Sequence, residues 1–166
     1  MTDAENPDAD RDSLRHFLRA QRGAVLDVLD GLAPELLIRP VVPSGWTPLG
    51  MIEHLGRAER HWMLDVLLDY DDPLDWDRPG WTPLRTERTV EQTFAFYREQ
   101  AALTDDILAT YSLDTMARGR HPGDEAGEFL TLRTIVLHLI EETARHAGHL
   151  DLARELLDGV TERGPR

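Results

Sequence analysis

The chain has 166 residues, a size for one domain with a sizeable core. Its 41% hydrophobic and 30% charged residues fit a soluble globular protein, and no apolar run approaches the roughly 20 residues that cross a bilayer. A net charge of -13 repels phosphate backbones and anionic membranes, and the lack of cysteine excludes disulfides, thiolate metal sites and a cysteine nucleophile.

Residues 1–11 are acidic and polar, which predicts a disordered tail, no signal peptide and a cytoplasmic protein. A first helix is predicted from Asp12 to Asp30. Leu14, Phe17, Leu18, Val25, Val28 and Leu29 recur at helical spacing, and Gly31 and Pro34 follow. Pro40, Pro43 and Gly45 then mark an irregular connection. The second helix opens at Thr47-Pro48, an N-cap followed by proline at the first helical position, and runs to about Leu68. Residues 69–86 form a long loop rich in Asp, Pro and Gly, which carries Trp76 and Trp81. The third helix starts at Thr89, where Gln92 completes a capping box, and stops near Tyr111. A loop over about 112–130 precedes a fourth helix from Thr131 to Asp158, stopped by Gly159. Residues 160–166 read as a loose tail. The prediction is an all-α fold, a four-helix bundle over 12–159, with long connections between helices 2 and 3 and between helices 3 and 4.

The last helix carries the chemistry. His138, Glu142 and His146 are spaced i, i+4, i+8, with Arg145 and His149 beside them. Leu132, Ile135, Val136, Leu137 and Leu139 just before them read as buried nearly all round, so the polar stripe should face partly inward. Buried His and Glu are costly unless paired or coordinated. A Glu and a His one turn apart can point at one metal ion, with a third ligand from another helix. His54, among Ile52, Leu55 and Ala58, is the leading candidate; His61, two turns on, and His138 are rivals. Two imidazoles and a carboxylate suit Zn²⁺, with Ni²⁺, Mn²⁺ or Fe²⁺ as alternatives. Three protein ligands leave a position for water or substrate.

Blander readings compete. Glu142 and His146 can simply hydrogen-bond in a buried network. His149 reads as a support or pocket residue, and His16 and His121 as ordinary surface. Trp62 reads as core, while Trp76 and Trp81 either line a substrate entrance or pin their loop. The acidic run Asp69, Asp71, Asp72, Asp75, Asp77 lacks the spacing of a calcium loop.

Three segments together carry a family resemblance. They are Pro43-Ser-Gly-Trp46-Thr-Pro48, the His54-Leu helix with Glu59 downstream, and Glu142-Thr-Ala-Arg-His146-Ala-Gly-His149. From about residue 12 to 159 the chain resembles the DinB-like bundle superfamily, on the branch near the mycothiol-dependent maleylpyruvate isomerase N-terminal domain. Many members of that superfamily carry His where this chain has Glu142, and the isomerase branch carries Glu. The resemblance implies His54, Glu142 and His146 as metal ligands, and a metal that binds a low-molecular-weight thiol such as mycothiol.

The expected function is therefore a metal-dependent thiol S-transferase acting on small electrophiles. Arg57, His61, Arg145, His149, Trp76 and Trp81 are candidates for the thiol or substrate pocket. A non-catalytic, stress-associated bundle protein and a metal-assisted hydrolase are the alternatives. The expected partners are a small-molecule thiol and an electrophile, with no nucleic acid, no membrane and a possible homodimer.

Overall fold

The computed structural model describes residues 7–70, 84–121 and 131–161. They form α1 (Pro7–Leu29), a short α2 (Pro34–Leu37), α3 (Pro48–Arg60), a π-helical continuation (His61–Leu67), α4 (Val90–Thr110) and α5 (Leu132–Asp158). The expected all-α architecture is what the chain adopts; the sole extended pairing among the described residues is an isolated bridge, Met116 to Thr131. No described helix is long and apolar enough to cross a membrane.

Local chemistry sets the helix ends. Thr47 caps α3 by accepting from the Gly50 N–H, with proline at the first turn. Thr89 and Gln92 close the expected capping box on α4, and Thr131 with Thr134 does the same for α5. Gly159 ends α5 in the left-handed region. One expectation fails at the N-terminus. Residues 7–11, read as part of a disordered tail, are helical. Their anchors are long-range: Arg11 donates to the Tyr111 carbonyl, and Asp10 pairs with Arg133. Pattern reading along the chain cannot see such partners. Two further departures are the α2 turn inside the irregular connection and Leu137, which is exposed rather than buried.

Two apolar clusters fill the bundle. One gathers Leu18, Trp62, Met63, Val66, Leu108, Ile135 and Leu139; the other gathers Val25, Leu49, Ile52, Leu55, Tyr97 and Leu150. The order in which each helix meets them fixes the topology. α1 and α5 run from the first cluster to the second, while α3 and α4 run from the second to the first. α1 packs along α5 and α3 along α4, so each close pair is parallel. The π-helical continuation of α3 therefore ends at the first cluster while α4 begins at the second. Leu84, ahead of α4, packs in the second cluster, and its carbonyl accepts from the Thr47 N–H at the start of α3.

Between the clusters, in register on all four long helices, lie the buried polar residues Arg22, Glu59, Gln100, Thr104, Thr143 and His146. On one side of this layer Arg22 donates twice to Glu59, at 2.8 and 2.5 Å, and once to Asp105 at 2.9 Å. Burial lowers the Arg22 guanidinium, but Glu59 and Asp105 outweigh it and hold the pKa above its ordinary value.

Candidate metal centre

The other side of the polar layer holds the stripe on α5. His54 reaches across from α3, and its Nε2 lies 3.1 Å from Glu142 Oε1. His146, one turn beyond Glu142 on α5, places its Nε2 2.8 Å from the same oxygen. The two imidazoles meet edge to face, with centroids 5.0 Å apart. Side-chain exposures of 15% for His54, 18% for Glu142 and 11% for His146 leave the cluster sheltered but open at one edge. Hydrogen bonds from His146 and then His54 outweigh burial and hold the Glu142 carboxyl well below the usual range, so it is ionised.

Glu142 as a carboxylate can only accept, so in this arrangement both Nε2 atoms carry protons. The three potential ligand atoms lie within 4.8 Å of one another. Two imidazole nitrogens and one carboxylate oxygen on a partly sheltered wall form a donor set that fits a divalent transition metal. A cation in place of the two protons would take the Nε2 lone pairs. His146 would then hold its proton on Nδ1, and His149 Nδ1 stands 3.2 Å from that atom, ready to accept it. His149 is exposed; burial first, then His146 and Arg145, lower its pKa and favour the neutral ring.

The remaining candidates are distributed differently. Arg145 is 68% exposed and lies 3.8 Å from Glu142 Oε2, a loose contact. Arg57 turns to Glu53 Oε1, donating from Nε and Nη2, and Arg88 binds the same oxygen. His61 is away from the triad, paired with Asp65 and His121. His138 packs its ring against Trp62 at 4.6 Å, and burial lowers its pKa against the pull of Glu142. Trp62 is core, as expected, at 4% exposure. Trp76 and Trp81 lie outside the described residues, as do Asp71, Asp72, Asp75 and Asp77. His16 is exposed, as expected.

His121, read as ordinary surface, is not: it is half-buried, stacked on Trp62 at 4.8 Å and within hydrogen-bond reach of His61. Asp65 pairs with His61 rather than with His121, and its i+4 spacing from His61 is a local signal in the sequence. The Arg22–Glu59–Asp105 cluster was also missed, because its members come from three helices.

Comparison with known proteins adds one finding. The sequence model of the mycothiol-S-transferase family matches residues 13–159, from within α1 to the cap of α5. No curated protein and no solved structure matches the chain.

Proposed function

We propose, from the premise that this chain belongs to the mycothiol-S-transferase family of the DinB-like superfamily, that it is a metal-dependent enzyme joining mycothiol or a similar small thiol to an electrophile. The observation that carries the reading is the convergence of His54 Nε2 and His146 Nε2 on one oxygen of Glu142, from two helices that meet only in the fold. A divalent ion bound there, most simply Zn²⁺, would lower the pKa of a thiol and favour the thiolate.

The chain's own residues do the rest. α3 and α5 hold three donors in place through the two apolar clusters above and below the polar layer. His149 fixes the ring of His146. The ionised Glu142 supplies the one negative charge of the donor set, which leaves a bound divalent ion a net positive charge toward a thiolate. The absence of cysteine means that the sulfur must arrive on the small molecule.

A second reading has one observation on its side. Without any ion the three groups already satisfy one another by hydrogen bonds, as a structural polar network would. The separating experiment is turnover of a fluorogenic haloalkyl electrophile with mycothiol, in wild type and in Glu142→Ala. Thiol-dependent turnover that disappears in the variant supports the transferase. Electrophile consumption at the uncatalysed rate, in metal-loaded wild type, would leave the non-catalytic bundle as the better reading.

A further inference from the structure

The triad straddles two pairs of helices. His54 stands on α3, which packs along α4, while Glu142 and His146 stand on α5, which packs along α1. α4 is tied to α1 in turn, because Arg19 and Arg22 both donate to Asp105. The space between His54 and the two α5 groups therefore depends on how far α3 stands off α4. Two glycines bring α3 close. At its start, a Cβ on Gly50 would lie 1.9 Å from the Leu84 carbonyl oxygen, a backbone atom that cannot swing aside. Nearer the triad, a Cβ on Gly56 would lie 2.8 Å from Phe96 Cε1, 3.0 Å from Phe96 Cδ1 and 3.3 Å from the Tyr97 Cα on α4.

The Phe96 ring is held where it meets Gly56. The Arg88 guanidinium lies over that ring, 4.4 Å from its centroid, and Arg88 also binds Glu53 on α3. Glu53 is buried and fixes Arg57 with the same oxygen. The half-buried ring thus touches the bare backbone of α3 and a cation that α3 itself anchors. Direction follows from the helix. At 3.6 residues per turn, residues two apart point almost opposite ways. Gly56 is two residues beyond His54, so the face of α3 that rests on Phe96 is nearly opposite the face that presents His54 to Glu142. Pushing α3 off Phe96 carries His54 toward α5. A smaller residue at 96 lets it retreat.

The triad has little slack for such movement. The Nε2 atoms of His54 and His146 lie 3.1 and 2.8 Å from Glu142 Oε1, the spacing of hydrogen bonds. Donor atoms around a tetrahedral Zn²⁺, at about 2.0–2.1 Å from the ion, stand about 3.3–3.4 Å from one another. The triad must open slightly to admit even this ion, and further for a larger one. Close-packed interiors transmit shifts of this size.

We propose that the Gly56–Phe96 contact is a stop that sets the width of the triad and so selects small divalent ions over large ones. The inference rests on the metal reading above. Gly56 and Phe96 are positioning residues; each acts through the distance of His54 from α5.

Affinities for Zn²⁺ and for the larger Cd²⁺, from competition with a chromogenic chelator, test the stop without any turnover. Gly56→Ala should weaken Zn²⁺ by about 10-fold and Cd²⁺ by about 100-fold, the range for residues behind metal ligands. The ratio of the two affinities then moves toward Zn²⁺. Phe96→Val, which lacks the two ring carbons nearest Gly56, should move the ratio the other way, and Gly56→Ala/Phe96→Val should return it toward wild type. The ratio separates a stop from a mere loss of stability, which weakens both ions equally. Gly23→Ala, whose new Cβ meets nothing within 4 Å, should leave the ratio where it is. Equal losses for both ions in Gly56→Ala, or an unmoved ratio in Phe96→Val, would overturn the proposal; should Gly56→Ala not fold, Phe96→Val decides alone. Wild type that takes up neither ion removes the metal reading and the stop with it, whereas wild type that binds Zn²⁺ with an unmoved ratio in the variants removes the stop alone.

Discussion

His54 and Glu59 stand little more than one turn apart on α3, yet they belong to clusters of opposite character. Glu59 faces α1 and is closed off by a two-point bond from Arg22, which Asp105 shares; exposures of the Arg22 and Glu59 side chains are 8% and 2%. Charge meets opposite charge there, and the donors are consumed. His54 faces α5, where two imidazole rings crowd one carboxylate oxygen and the side chains are 11–18% exposed. The first arrangement is complete and belongs to the fold. In the second, protons occupy places that a cation can take. Burial of a polar group therefore separates support from site less well than the sign and number of its neighbours do.

The largest expected effect tests the closed cluster. Glu59→Ala leaves Arg22 buried without its main partner and should cost about 3–5 kcal/mol in urea unfolding. His146→Ala, measured without metal, should cost less than about 2 kcal/mol, because it removes one bond to a charged group near solvent. Equal losses in the two variants would erase the distinction between the clusters. The double variant Arg22→Met/Glu59→Leu should recover most of the loss, since apolar groups of similar volume replace a buried ion pair well.

Next in size is the effect of the residue behind the site. His149→Phe should weaken metal binding by about 10–100-fold in competition with a chromogenic chelator, with stability nearly unchanged. His149→Asn, which keeps an acceptor, should fall between. No change in either variant would remove His149 from the site.

How far the two clusters were legible in the sequence follows the range of their contacts. The stripe Glu142, His146, His149 lies on one helix, and its i, i+4 spacing was readable directly. The caps at Thr47, Thr89 and Gly159 were readable for the same reason, because a cap depends on residues three or four positions away. His54 needed the family resemblance, since spacing alone left His61 and His138 in contention. Arg22, Glu59 and Asp105 lie on three helices and share no local pattern. The π-helix was invisible to a periodicity count that takes 3.6 residues per turn, so His121 looked like surface and the bonds of Gly119 and Arg118 to the π-helix carbonyls went unexpected.

One carboxyl in each cluster, Asp105 and Glu142, should respond to acid in the same sense, whereas burial raises Glu59 despite its pairing with Arg22. Burial raises the Asp105 carboxyl, but Arg19 and Arg22 outweigh it; at Glu142 the bonds from His146 and His54 dominate, and both carboxyls sit below their ordinary values. A depressed folded-state pKa adds stability that is present above about pH 4, the unfolded value, and is lost as pH falls through the folded value. Asp105→Asn and Glu142→Gln should each flatten the acid limb of a plot of urea midpoint against pH. Added Zn²⁺ should shift that limb in wild type and in Asp105→Asn, but not in Glu142→Gln.

The smallest effect concerns Tyr97, packed beside the closed cluster. Its hydroxyl is buried, has no hydrogen-bond partner among the described residues, and burial pushes its pKa far up. Tyr97→Phe should therefore change stability by less than about 1 kcal/mol, in either direction. A clear loss would show that the hydroxyl supports Glu59 through a contact that forms in solution.

Metal content tests the central claim most directly. Protein purified without an affinity tag, as wild type and as His54→Ala, would be analysed by mass spectrometry before and after incubation with Zn²⁺, Ni²⁺, Mn²⁺ or Fe²⁺. The expected result is about one equivalent of a divalent metal in wild type, as for a three-ligand site, and none in a variant that keeps its helical circular dichroism. Wild type that takes up no metal, or His54→Ala that keeps its full equivalent, would contradict the account and make the triad a hydrogen-bonded part of the core.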